Sequence, residues 1–198
     1  MIGVVARSQI HTLFHRIERM IGMLEDSIAI ILASKGTVGF QMESLNVFKE
    51  VIEPVLSEIC LDVPKERIEL IRRPDESTGK QDLCIPGNRF FLKSVFRNLL
   101  KNAAAYGAKG TKIAIAITQM GKDLIFDIQN YGDPIPANLR KDIFLEPAKT
   151  TPRASGKQGG LGIGLSLVKE IVACHGGRLW YRPDENTSHF LVSLPAKG

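Results

Sequence analysis

From about residue 62 to the C-terminus, stretches of alternating apolar residues give way several times to stretches with helical spacing. No other feature constrains the fold as much. A chain that keeps switching between a period of two and a period near 3.6 packs helices against a sheet. Arg67–Arg73 and Gln81–Ile85 read as short strands around the turn-rich Pro74-Asp75-Glu76-Ser77-Thr78-Gly79. Arg89–Tyr106 reads as a helix closed by Gly107. Lys112–Gln119 and Leu124–Gln129 read as a hairpin across Met120-Gly121-Lys122-Asp123. Ala137–Phe144 reads as a short helix, and Leu161–His175 as a longer one ended by Gly176-Gly177. Arg178–Tyr181 and His189–Leu194 read as the last strands. The expected architecture is α/β, a two-layer sandwich of helices on one mixed sheet.

The first 60 residues have a different character and are expected to form a separate helical segment, with 61–198 as the α/β domain. Ile10, Ile17, Leu24 and Ile31 recur every seven residues, and Leu13, Phe14, Met20, Ile21 and Ile28 widen the stripe. Ser8 to Lys35 therefore reads as one amphipathic helix that needs partner helices in a bundle or coiled coil. Gly36-Thr37-Val38-Gly39 breaks the pattern. Met42 to Ile59 reads as a second helix through Val47, Val51, Val55 and Ile59, with Pro54 as a kink or early stop.

Composition narrows the function classes. The chain has 198 residues, enough for one α/β domain plus an appendage. It holds no run of some 18 apolar residues of the kind a membrane span needs, and Met1–Arg7 lacks the pattern of a signal peptide. Cys60, Cys84 and Cys174 form no C-x-x-C pair, so they read as reduced thiols rather than zinc ligands. A cytoplasmic location is expected. The net charge of +5 suits a phosphate ligand or an acidic partner, but the basic residues are too scattered to argue for nucleic acid.

Three motifs carry chemistry. In Asn98-Leu99-Leu100-Lys101-Asn102-Ala103, helical spacing puts Asn98 and Asn102 on one face. Each amide offers an oxygen to a metal and an NH2 to a phosphate oxygen. Mg²⁺ keeps water and substrate phosphates around few protein ligands, so one such oxygen suffices. Taken alone, the pair equally fits two polar residues on a helix surface. Gly159-Gly160-Leu161-Gly162-Ile163-Gly164-Leu165 opens a helix, where bare backbone and free N–H groups suit phosphate. It matches neither the dinucleotide fingerprint nor the P-loop, and alone it also fits a hinge. Asn130-Tyr131-Gly132-Asp133-Pro134-Ile135-Pro136 follows an apolar strand and alone also fits a plain turn.

In this order and spacing the three motifs resemble the histidine-kinase branch of the GHKL ATPases, over about Ser8 to Pro195. Asn98–Gly107 is similar to the N box and Asn130–Pro136 to the G1 box. Gly160–Leu165, with the helix that ends at His175-Gly176-Gly177, is similar to the G2 box. The resemblance implies a Bergerat-type ATP-binding fold preceded by a helical dimerisation segment, with ATP and Mg²⁺ as cofactors. It implies Asn102 as the Mg²⁺ ligand and Asn98 as a contact to phosphate or to the metal's water shell. Tyr106 would pack on adenine, and Asn130 stands where an aspartate usually accepts the adenine amino group. Gly132 and Ile135 would line the base. Gly160, Leu161, Gly162, Gly164 and Leu165 would sit beside the phosphates.

Some positions depart from the pattern. Pro134 replaces a G1 glycine, and Ala105 stands where a lysine is usual. Ile143–Pro147 resembles an eroded F box. Lys149, Arg153 and Lys157, in the expected lid Glu146–Gln158, supply a replacement cation or are simply solvated. ATP-hydrolysing relatives carry a glutamate where Asn98 stands. An amide takes no proton at neutral pH, so water attack should be poorly catalysed. Phosphoryl transfer to an imidazole, which is its own nucleophile, needs mainly positioning and electrostatics.

The family's acceptor histidine lies in a His-Glu/Asp-x-x-Thr/Asn-Pro motif, which the chain does not contain; His11 and His15 lie on the bundle-type helix without it. The resemblance therefore implies an acceptor helix and sensor region upstream, membrane-anchored or not, a homodimer through the N-terminal helices, and a response regulator as partner. Two rival readings share the boxes: a non-catalytic nucleotide-binding module, and an anti-sigma-type serine kinase.

Overall fold

The structure is a computed structural model that describes residues 41–59, 67–72, 84–145 and 164–196. The expected helix Ser8–Lys35, the turn 74–79 and the lid 146–158 lie outside the described residues, as do Lys149, Gly160, Leu161 and Gly162. The chain divides into two compact units, Met1–Val38 and Gly39–Gly198, and all described residues belong to the second.

The unit begins with strand β1 (Glu43–Asn46), a single π-helical stretch (Phe48–Ile52) and helix α1 (Glu53–Ile59). Strand β2 (Ile68–Arg72), strand β3 (Cys84–Gly87) and helix α2 (Arg89–Tyr106) follow. The remainder is β4 (Ile113–Met120), β5 (Asp123–Tyr131), helix α3 (Gly164–Cys174), β6 (Arg178–Pro183) and β7 (Thr187–Pro195). Five of the described strands form one mixed sheet in the order β2-β4-β5-β7-β6, in which β2 and β4 pair parallel and the other neighbours pair antiparallel. β1 pairs antiparallel with β3 in a separate two-stranded ribbon.

Two expectations are corrected here. Met42–Ile59 is not one helix, because Glu43–Asn46 is a strand paired with Cys84–Gly87. Helix begins only after Asn46. Its side-chain oxygen accepts from the Lys49 N–H at 3.1 Å, while the Glu50 carboxylate accepts from the Asn46 N–H at 2.7 Å. This reciprocal pair satisfies donors that a helix start leaves open. The wide π turn precedes Pro54, whose ring crowds the preceding turn of an α-helix. Val47, Val51, Val55 and Ile59 are buried, so residues 43–59 belong to the unit that bears the sheet, and the boundary drawn at residue 60 falls inside that unit. The second correction concerns Ala137–Phe144. Leu139, Asp142 and Leu145 each donate to the carbonyl three residues back, which makes a run of turns rather than an α-helix.

One face of the sheet carries the core. Ile113, Ile115 and Ile117 of β4, Leu124, Phe126 and Ile128 of β5, and Phe190, Val192 and Leu194 of β7 are all buried. Their register aligns Ile115 with Ile128 and Phe126 with Val192. Against them α2 buries Phe91, Leu92, Val95, Phe96, Leu99, Leu100 and Ala103, and α3 buries Leu167, Val168, Ile171 and Val172. Phe96 meets Phe126 edge-on at 5.1 Å, which ties α2 to the middle of the sheet.

Both helix ends near this core are built to fixed lengths. Asn88 caps α2, accepting from the Phe91 N–H at 3.2 Å. At the end of α3, Gly176 takes φ +70° and donates to the Ala173 carbonyl, while Gly177 donates to that of Val172. This paired return of hydrogen bonds closes the helix. A Cβ on Gly177 would run into the Ser193 carbonyl, so only glycine lets α3 turn this closely over β7.

Candidate functional site

The described site residues form two groups along α2: Asn98 meets the start of α3 at Gly164, and the C-terminal end of α2 meets the end of β5 at Asn130–Gly132. Asn98 and Asn102 both lie on α2, half-buried. Asn98 Nδ2 donates to the Ser94 carbonyl at 3.0 Å and approaches Ser94 Oγ at 3.4 Å. That fixes the amide orientation and turns Oδ1 toward the start of α3. A Cβ on Gly164 would lie 2.5 Å from this oxygen, so the glycine is what lets α3 begin against Asn98. Gly164 and Leu165 therefore stand in the first turn of α3, whose N-terminus favours anions.

The other end of the site is stitched together by backbone. α2 ends at Tyr106, whose side chain is largely exposed. Ala108 N–H then donates to the Tyr131 carbonyl at 2.6 Å. Gly132 takes φ +141°, a conformation L side chains rarely adopt, and a Cβ there would lie 3.2 Å from the Ala108 nitrogen. Its own N–H donates to the Asn186 carbonyl of the β6–β7 turn at 2.9 Å. The helix end, the strand end and that turn thus meet at one glycine.

Asn130 lies on β5 one step beyond Ile128 on the helix-facing side, paired with Ile113 and Ser188. It is 3% exposed, and its Oδ1 has no hydrogen-bond partner. A buried carbonyl oxygen without a partner costs roughly 1–3 kcal/mol, so such an atom points to a donor supplied from outside.

Three residues that sequence reasoning missed hold the loop after Asn130. Ile135 N–H donates to Tyr181 Oη at 2.9 Å, and Tyr181 Oη is 2.9 Å from Ser188 Oγ. Arg140 Nε donates to the Ile135 carbonyl at 2.8 Å. Phe144 meets Phe190 edge-on and Tyr181 packs against it at a tilt, which anchors this clamp in the sheet. Tyr181 lies 46 positions from Ile135, so no local pattern signals the pairing.

His175, at the end of α3, links two helices. Its ring is buried; Nδ1 donates to the Ile171 carbonyl at 2.7 Å and Nε2 accepts from the Asn88 N–H at 3.0 Å. Burial pushes its pKa below the usual histidine value, partly offset by the Ile171 carbonyl. The neutral ring thereby locks the end of α3 to the cap of α2, the helix that carries both site asparagines.

Among the described residues no cluster of His, Cys, Asp and Glu is arranged to hold a metal; Asn98 and Asn102 carry amide oxygens of the kind a hard cation accepts as ligands. Two observations fit a nucleotide with a hard cation: the close approach that Gly164 allows at Asn98, and the unpartnered oxygen of Asn130.

The family model of histidine kinase-, DNA gyrase B-, and HSP90-like ATPases matches residues 87–198, which is more than half of the chain and contains all three motifs. The chain belongs to this family. It carries a domain of this ATPase type, and the proteins it is similar to are sensor kinases. The sensor protein VanS of Enterococcus faecium is 35% identical over 116 residues, covering 59% of this chain and 30% of that protein. The probable sensor kinase SilS of Salmonella typhimurium is 29% identical over 182 residues, covering 89% of this chain and 35% of that protein. The chain thus spans about a third of these curated relatives. Among solved structures, the catalytic domain of histidine kinase ThkA superposes with a TM-score of 0.64 at 28% identity, covering 79% of this chain and 99% of that one. ThkA in complex with its response regulator TrrA superposes at 0.65 with 27% identity, covering 91% of this chain and 49% of that one. The mixed sheet under two helices is the fold expected from the sequence.

Proposed function

We propose that the chain binds Mg-ATP and donates its γ-phosphate to a histidine of a dimerisation hairpin, for onward transfer to a response regulator. The observation that carries this reading is the junction of Asn98 with Gly164, because it brings the N-box helix and the phosphate-type helix N-terminus into contact. Asn102 holds Mg²⁺ through its side-chain oxygen. Asn98, with Nδ2 tied to Ser94, presents an acceptor, which suits a metal-bound water better than a phosphate oxygen. On this reading Gly160, Leu161, Gly162, Gly164, Leu165 and Lys149 would serve the phosphates, and Tyr106, Asn130, Gly132 and Ile135 the base. When bound, Mg²⁺ neutralises charge on the β- and γ-phosphates. The chain's residues supply position and polarity, and no side chain at Asn98 is able to take a proton from water.

The response regulator reading is supported by ThkA, whose structure is of a complex with one. Dimerisation through the N-terminal helices rests on the seven-residue stripe from Ile10 to Ile31. No helix among the described residues is long and apolar enough to cross a membrane, and a cytoplasmic site, where ATP is plentiful, fits the proposal.

The test is incubation with γ-labelled ATP. The chain alone should bind ATP, hydrolyse it slowly and label itself little. Adding a dimeric hairpin fragment that carries an acceptor histidine should give acid-labile, base-stable label on that fragment. Strong labelling of the chain itself that disappears in His11→Gln or His15→Gln would contradict the proposal. So would fast hydrolysis without label.

A further inference from the structure

Asn130 is unlike its surroundings. It follows Leu124, Phe126 and Ile128 on the helix-facing side of β5, at the last position before the strand leaves the core. Its amide is almost fully enclosed and its Oδ1 lacks a partner. The backbone around it makes room. A Cβ on Gly107 would lie 3.4 Å from Asn130 Cβ, and Gly132 lets the chain turn away immediately after it.

The geometry points to Asn130 as a base-selecting residue that admits 6-oxopurine as well as 6-aminopurine nucleotides. This rests on the proposed nucleotide site and refines it. A primary amide carries one acceptor and one two-hydrogen donor side by side. Adenine presents a donor at N6 next to an acceptor at N1. Hypoxanthine and guanine present the reverse, an acceptor at O6 next to a donor at N1. A half-turn of the Asn130 amide about its terminal torsion, whose two orientations fill the same space, matches either edge. A carboxylate at this position has acceptors only, and would face the O6 of a 6-oxopurine oxygen to oxygen. An enclosed site that leaves a polar group unpaired rejects the wrong base strongly, whereas one that pairs both edges does not.

The test is calorimetric titration of the full chain, in magnesium, with ATP, inosine triphosphate and purine riboside triphosphate. The last of these has no substituent at the 6-position. ATP and inosine triphosphate should bind within about tenfold of one another, and purine riboside triphosphate about tenfold more weakly than either, since it leaves one amide group unpaired. In Asn130→Asp the ATP-to-inosine-triphosphate ratio should shift toward ATP by about tenfold or more. Normal ATP binding with discrimination of a hundredfold or more against inosine triphosphate by the wild-type chain would overturn the inference and leave the ATP site intact. That result needs no variant, so it stands even if Asn130→Asp folds poorly. An ATP-to-inosine-triphosphate ratio that is the same in a folded Asn130→Asp variant would overturn it as well. Failure of all three nucleotides to bind would overturn the nucleotide-binding reading itself, and this inference with it.

Discussion

Gly164 separates binding from stability at a single residue. An alanine there would bring its Cβ to 2.5 Å from Asn98 Oδ1, and the atom in the way is the tip of a side chain rather than backbone. The amide can swing aside, so the fold should tolerate the change. Alanine is the better helix former inside a helix by about 1 kcal/mol, an advantage that shrinks at the first residue of α3. The displaced amide, however, loses its orientation toward the nucleotide's metal. Gly164→Ala is expected to leave the unfolding free energy within about 0.5 kcal/mol of wild type or slightly above it, while ATP affinity falls about tenfold, the cost of one misplaced hydrogen bond. Calorimetry and denaturation on the same preparation check this. Equal losses in both would show that Gly164 serves packing alone. The three motifs stood out in the sequence by residue type and spacing alone, amides at Asn98, Asn102 and Asn130 and a glycine run ending at Gly164; the metal, base and phosphate roles given to them are the proposal made above. Tyr181, Arg140 and Ser188 were not legible, because what matters about them is the loop they reach, and that is set by the sheet.

Among the elements, the most legible were those with signals at both ends. Arg89–Tyr106 was read to the residue, since Asn88 caps its start and Gly107 stops it. Strand β1 was misread because Glu-Ser-Leu-Asn has no period of its own. The helical spacing of Val47 to Ile59 was extended back over it, and only its partner Cys84–Gly87 makes it a strand. The turns at 137–144 failed in the same way, as a short polar segment whose conformation is decided by the clamp on Ile135. The joint between α2 and α3 carries a pH dependence. His175 is buried neutral, so its folded-state pKa lies below the usual 6.5. As pH falls through 6.5 the unfolded chain takes up a proton that the folded chain resists, so stability is full above that value and declines below it. The urea midpoint should fall between about pH 7.5 and pH 5.5. His175→Gln should be less stable at the higher pH and should flatten the profile over that interval. Parallel profiles for the two proteins would remove His175 from the account.

At the scale of the whole molecule, the sheet-bearing unit runs from Gly39, so β1, the π turn and α1 are part of that unit. Alternation of strand and helix was most legible at β5, where buried and half-buried residues alternate; β4 and β7 are buried at consecutive positions and read as strands by their short apolar runs. The strand order was not, since it depends on which edges meet and not on any strand's own sequence. The mild positive charge of +5 is consistent with a triphosphate ligand. The central claim is that this unit binds ATP through a magnesium ion held by Asn102. Calorimetric titration of ATP into the wild-type chain and into Asn102→Asp, each with magnesium and with EDTA, tests it most directly. In the wild type, removing magnesium should weaken binding by about tenfold or more; in Asn102→Asp, binding should be weaker and its dependence on magnesium altered, because the substitution adds a charge and removes an NH2 donor. Equal affinity in all four titrations would contradict the claim.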